Sequence, residues 1–140
     1  MNLAVTGATG FVGRHFLVSA LQRGHHVRAL VRPGQGVPTT WLAGGVRVVR
    51  GNLGDGDEVV AELLRGADAL VHLAAAGVQG RERDWHTAVP VNAVLPLAWL
   101  QRAVAHGVSR SVVLGTCLEY AGYGVLPRNR VRSRNTSLCR

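Results

Sequence analysis

Three glycines spaced three apart, Gly7, Gly10 and Gly13, stand in Thr6-Gly7-Ala8-Thr9-Gly10-Phe11-Val12-Gly13, directly after the apolar run Leu3-Ala4-Val5. A glycine-rich turn between a strand and a helix suits the pyrophosphate of a dinucleotide. Gly7 is placed to allow the tight turn, Gly10 to let the backbone approach phosphate, and Gly13 to let the helix pack on the strand. The bare N–H groups at the helix start, around Thr9, Phe11 and Val12, would face the anion. An absence matters as much: all 16 basic residues of the chain are arginine, and there is no lysine. One common way of using such a cofactor is therefore closed to this chain.

The elements that must hold these residues follow from the hydrophobic periods. Leu3 to Val5 reads as a short buried strand. Phe11, Val12, Phe16, Leu17, Ala20 and Leu21 recur at helical spacing, and Gly24 ends that helix. His26 to Val31 is a second strand. Pro33 to Gly45 is rich in Gly and Pro and reads as a loop with at most a poor helix. Val46 to Val49 is a third strand. Asp55 to Arg65 is a helix with acids in its first turn, where they suit the helix dipole. Ala69 to Leu73 is a fourth strand. Asn92 to His106 is a longer helix, with Pro96 tolerable only as a kink or near the start, and Gly107 stops it. Ser111 to Leu114 is a fifth strand. Alternation of strand and helix at these lengths predicts βαβ units in a parallel sheet.

Composition sets the frame. A chain of 140 residues that is 47% hydrophobic fits one globular domain. No apolar run approaches the roughly 18–20 residues of a membrane span. Met1 leads directly into the first strand without a signal peptide, so no membrane and a cytoplasmic location are expected. Two cysteines make no disulfide framework. His25-His26 is a poor metal chelate, because neighbours on a strand point to opposite faces; no metal is expected. The net charge of +8 is concentrated: residues 128–140 hold five arginines and no acid, and the other 127 residues carry only +3.

The motif order resembles the extended branch of the short-chain dehydrogenase/reductase superfamily, the epimerases, dehydratases and sugar-nucleotide reductases. The resemblance rests on Thr6 to Gly13, on Arg50-Gly51-Asn52-Leu53-Gly54-Asp55, on Val71-His72-Leu73-Ala74-Ala75, on Val91-Asn92-Ala93, and on Gly115-Thr116-Cys117-Leu118-Glu119-Tyr120. It runs to about Pro127. It implies a doubly wound Rossmann domain with strand order 3-2-1-4-5, occupying residues 1–124. It also implies an NAD(P) cofactor and, in a full-length form, a nucleotide-linked or other sugar as substrate. Asn52 stands where the family has an aspartate that meets adenine, and its amide oxygen can accept the same bond. Leu53 would pack on the adenine face, and Leu73, Ala74 and Ala75 would line the nicotinamide side. Asn92 falls among the cofactor-binding positions. His72 reads as a buried structural histidine. Arg32 ends the second strand where an acid would select NAD; an arginine can pair with the 2′-phosphate of NADP, with Arg14 in support, so NADP is the expected preference over NAD.

The reaction centre departs from the family. The family couples a Ser/Thr with Tyr-x-x-x-Lys, the lysine lowering the pKa of a tyrosine that is otherwise a poor base at neutral pH. Thr116 or Cys117 falls at the Ser/Thr position. Tyr120 and Tyr123 are followed four residues on by Gly124 and Pro127. The expectation is cofactor binding without turnover. Residues 125–140 read as a basic, disordered tail, of the kind a shifted reading frame produces in GC-rich DNA. The alternative is a non-catalytic binding module whose tail contacts an acidic partner or nucleic acid, although no aromatic stands among its arginines to stack on bases. The fifth strand would be an open sheet edge, to be covered by a homo-oligomer or a partner chain.

Overall fold

The computed structural model describes residues 1–76 and 84–115. Strands β1 (Asn2–Thr6), β2 (His26–Val31), β3 (Arg47–Arg50), β4 (Ala69–His72) and β5 (Arg110–Val113) form one parallel sheet in the order β3-β2-β1-β4-β5. This is the expected doubly wound α/β order. β1 lies at its centre, with Leu3 opposite Val27 of β2 on one side and Ala69 of β4 on the other.

The alternation of side chains along β1 divides the core into two layers. Leu3 and Val5 face one layer with Leu17 and Ala20 of α1 (Phe11–Gln22) and Trp41 of α2 (Thr39–Ala43). Ala4 faces the other, with Val60, Leu63 and Leu64 of α3 (Asp57–Leu64) and Trp99 and Ala103 of α5 (Leu95–Ala105). The stretch read as a loop thus contains one five-residue helix, held because Trp41 is buried against the sheet.

The helix expected from Asn92 begins earlier. Asp84 caps α4 (Trp85–Val89): its carboxylate accepts from the His86 N–H at 3.0 Å and from the Thr87 hydroxyl at 2.5 Å. The Thr87 hydroxyl, with the His86 and Thr87 amides, holds the Asp84 carboxyl below the usual carboxylate range. The helix passes through a π turn, Pro90–Val94, into α5. Proline lacks the N–H that an α-helix interior needs, and a locally wider turn accommodates that loss. At the far end the Val108 N–H donates to Ala103 O and the Gly107 N–H to Val104 O, closing the helix.

Continuity through the π turn changes one expectation. Trp85–Ala105 is a helix of 21 residues with mean hydropathy 1.2, long and apolar enough by length and composition to cross a membrane. Pro90, Asn92, Gln101 and Arg102 break the run in the sequence, so it does not read as a span there. In the fold its inner face packs on the sheet through Trp99 and Ala103, while Trp85, Val94, Leu97 and Val104 stay exposed. Among the described residues β3 and β5 are the edge strands, and all four residues of β5 are exposed.

Trp99 joins the second layer to the loop after β3. Its side chain is fully buried and its indole N–H donates to Leu53 O at 3.0 Å. Trp99→Ala should cost about 3–5 kcal/mol of unfolding free energy in urea titrations. Trp99→Phe, which mainly strands the Leu53 carbonyl, should cost roughly 1–3 kcal/mol. An unchanged midpoint for Trp99→Ala would show that this contact does not hold the layer.

Candidate functional site

Strand order reverses between β1 and β4, so the connections from these two neighbours leave to opposite faces of the sheet. A crevice opens outside their carboxyl ends, where ligands bind in sheets of this kind. The structure has a cleft of about 620 Å³ there. Its walls are the residues that follow each strand: Gly7, Thr9 and Gly10 after β1, Arg32 after β2, Gly51 to Gly54 after β3, and Leu73 to Ala76 after β4. A smaller cavity of about 140 Å³ lies at the opposite ends of the strands, beside Asn2, His26, Arg28 and Arg47.

The glycine turn is built by close approach. Gly7 has φ of +71°, and a Cβ there would run into the Leu73–Ala74 peptide. Gly13 is buried in the first turn of α1, where a Cβ would strike the Gly7 carbonyl and Ala8. The turn is closed by the Gly10 N–H donating to Gly7 O at 3.0 Å. No side chain caps α1, which leaves the first amides of the helix directed at the cleft. Phe11, Val12 and Gly13 line it as well, with Phe11 largely exposed and its ring edge-on to His15 at 4.9 Å.

The polar candidates fall into two groups. Arg32 is exposed and lines the cleft, and its own carbonyl accepts from Arg50 at 3.3 Å while Arg50 also reaches Gln35 O at 2.6 Å. Asn52 lines it too. Its Nδ2 donates to Asp55 Oδ1 at 3.3 Å and its N–H to Asp55 Oδ2 at 2.7 Å, so the amide oxygen is left to accept. Leu53, Leu73, Ala74 and Ala75 supply apolar wall. Arg14 and Asn92 stand outside the lining. Arg14 Nε donates to Thr9 O at 2.9 Å and braces the glycine turn. Asn92 accepts from the Ala76 N–H at 2.9 Å and donates to Ala76 O at 2.8 Å, clamping the segment after β4. Thr116 and Cys117 lie outside the described residues, as do Tyr120, Tyr123 and the boundary at residue 124.

Sequence reasoning missed Leu30, Gly51, Gly54, Ala76, Thr87, Val91, Leu95 and Leu114, which also line the cleft. Thr87 and Val91 were hidden by starting the helix at Asn92; the signal for them was Asp84, a capping residue three positions before Thr87. Beneath the cleft floor, His72 is 1% exposed and its Nδ1 lies 2.9 Å from Thr6 Oγ1. Burial pushes its pKa down from the usual histidine value, so the ring is neutral at pH 7.

A cleft with these walls is shaped for a dinucleotide, and comparison with known proteins agrees. Residues 3–136 match the model of the NAD dependent epimerase/dehydratase family, past Pro127. The dTDP-6-deoxy-L-talose 4-dehydrogenase (NAD(+)) of Aggregatibacter actinomycetemcomitans is 30% identical over 128 residues, covering 91% of this chain and 45% of that protein. The ceramide reductase of Caulobacter vibrioides is 40% identical over 72 residues, covering 51% of this chain and 22% of that one. The chain thus spans less than half the length of these relatives. Among solved structures, the Bordetella bronchiseptica enzyme WbmH in complex with NAD+ superposes with a TM-score of 0.67 at 26% identity, covering 92% of this chain and 42% of that one. MoeE5 in complex with UDP-glucuronic acid and NAD gives 0.67 at 28% identity, covering 81% and 36%. Fold, glycine turn and family match converge: the chain belongs to the NAD dependent epimerase/dehydratase family.

Proposed function

We propose that this chain is the dinucleotide-binding part of an oxidoreductase or epimerase/dehydratase acting on a nucleotide-linked sugar, and that it takes NADP(H) in preference to NAD(H). The observation that carries the reading is the cleft at the β1–β4 reversal, walled by the glycine turn on one side and Leu73 to Ala75 on the other. The cradle a Cβ would fill at Gly7 and the uncapped amides of α1 fit a pyrophosphate. Asn52 would accept from adenine, Leu53 would pack on its face, and Arg32 would pair with the 2′-phosphate. When bound, the nicotinamide supplies hydride transfer. The sugar substrate is inferred from relatives that carry nucleotide sugars or are named for them.

Turnover needs a group that lowers the pKa of a tyrosine, and the chain has no lysine to do it. The residues described here bind and orient; they do not complete a proton-transfer pair. The same reading leaves β5, exposed along its length, to be covered by a second copy or a partner chain.

Calorimetric titration tests the cofactor. NADPH should bind about 10- to 100-fold more tightly than NADH, the worth of one charge-assisted contact. Arg32→Asp should reverse the order, and equal affinities in the native chain would refute the preference. Gly10 tests the cradle apart from the fold. It has φ of −71°, and a Cβ there lies 3.2 Å from Gly7 O, so Gly10→Ala should fold. It should nevertheless weaken dinucleotide binding by about tenfold or more, a methyl group standing where the phosphate must approach. Gly13→Ala should instead lower stability by about 1–3 kcal/mol through overpacking, read as a lowered melting temperature.

A further inference from the structure

Thr6 and His72 are the buried polar residues in a described core that is otherwise apolar. They sit side by side in register at the carboxyl ends of β1 and β4, where the strand order reverses. Each is followed at once by cleft wall, Thr6 by Gly7 and His72 by Leu73. The Leu73 N–H donates to Thr6 O at 3.1 Å, and the Leu114 N–H to His72 O at 2.9 Å. His72 Nε2 has no hydrogen-bond partner among the described residues. Either tautomer satisfies Nδ1 against the Thr6 hydroxyl and leaves Nε2 unmet. Native structures seldom keep such an atom without a reason.

We propose that Thr6 and His72 form a proton-sensitive clasp: the neutral imidazole holds the glycine turn against the Leu73–Ala75 wall, and its protonation releases them and weakens dinucleotide binding. His72 is a positioning residue, because it does not line the cleft. A second proton would place a charged, unmet N–H in an apolar layer, and a Thr6 hydroxyl donating to Nδ1 would lose its acceptor. Among the described residues, no charged group on the elements packed against the ring is turned toward it to offset this. β1 offers Thr6 and β5 offers Val113 beside it. On that face α5 presents Leu95, Trp99 and Ala103, and α3 presents Val60, Leu63 and Leu64. Arg102 is turned to Asp57 and to Asp55 O, Glu62 to Arg47, and Glu58 is exposed. Burial alone lowers the His72 pKa. Between that lowered value and 6.5 the unfolded chain binds a proton that the folded chain refuses, so folding also weakens as pH falls below 6.5.

The inference rests on the cofactor reading for its ligand and on the clasp alone for its mechanism, so two measurements separate them. NADPH is titrated into the native chain and into His72→Asn from pH 7.5 down to the lowest pH at which both stay folded. Asparagine keeps a polar atom near the Nδ1 position and cannot titrate. The other five histidines and the cofactor phosphate titrate in both proteins. Native affinity should fall at least about threefold more than that of His72→Asn over this range, with the two within about threefold of each other at pH 7.5. Parallel profiles would overturn the clasp. Independently of any ligand, and of whether the variant folds, hydrogen exchange at the Leu73 amide of the native chain is followed over the same range. Its protection, corrected for intrinsic rate, should drop with acid about tenfold more than that of amides in the middle of β1. Equal loss would overturn the proposal. Absence of NADPH binding at pH 7.5 would instead refute the cofactor reading, and the Leu73 amide would still decide the clasp.

Discussion

The pairing of β1 with β4 is the constraint on which the rest depends. Each parallel strand must send its chain to one face or the other to return, and these neighbours send theirs to opposite faces. α1 leaves β1 for the layer of Leu17 and Trp41, while α5 serves the layer of Trp99. The connection from β3 enters β4 at its amino end, so none crosses the gap between them at the carboxyl ends. The crevice is a topological necessity, and side chains only determine what it suits. Gly7 determines most: by lacking a Cβ it lets the turn lie on the Leu73–Ala74 peptide, so the two lips share backbone contact.

Around that contact the site is built from the backbone outward. Small residues and amides form the wall nearest the turn, and the polar side chains of the lining are Thr9, Arg32, Asn52 and Thr87. Second-tier bonds hold these in place. Arg50 fixes the loop behind Arg32, Asp55 orients Asn52, Arg14 braces Thr9, and Asn92 clamps Ala76. Much of the polar chemistry of this chain thus goes into aiming backbone.

The order of elements was legible because strand and helix periods alternate cleanly from β1 to β4, and glycines punctuate them. The glycine turn and its flanks could be read residue by residue. The features that the sequence hides share a cause. Pro90 and Pro96 argue against a helix interior, which hides a start at Asp84, and a π turn is not encoded in any period. A cleft residue such as Leu95 is no different from a core leucine until its helix is placed. Arg14 and Asn92 stood within motifs and turned out to brace neighbouring backbone, a distinction set by side-chain direction. Thr116 and Cys117 fall outside the described residues.

The strand register also fixes an order of assembly. β1 meets β2 across only 24 positions, Asn2 with His26, whereas Leu3 meets Ala69 across 66. Closing the longer loop costs more chain entropy, and contacts of long separation form slowly. During synthesis the sheet up to β3 can pair while β4 is still unmade, with the central strand exposing one raw edge. The two lips of the cleft therefore belong to different moments in the life of the chain, and the glycine turn waits, complete but unopposed, for its other side.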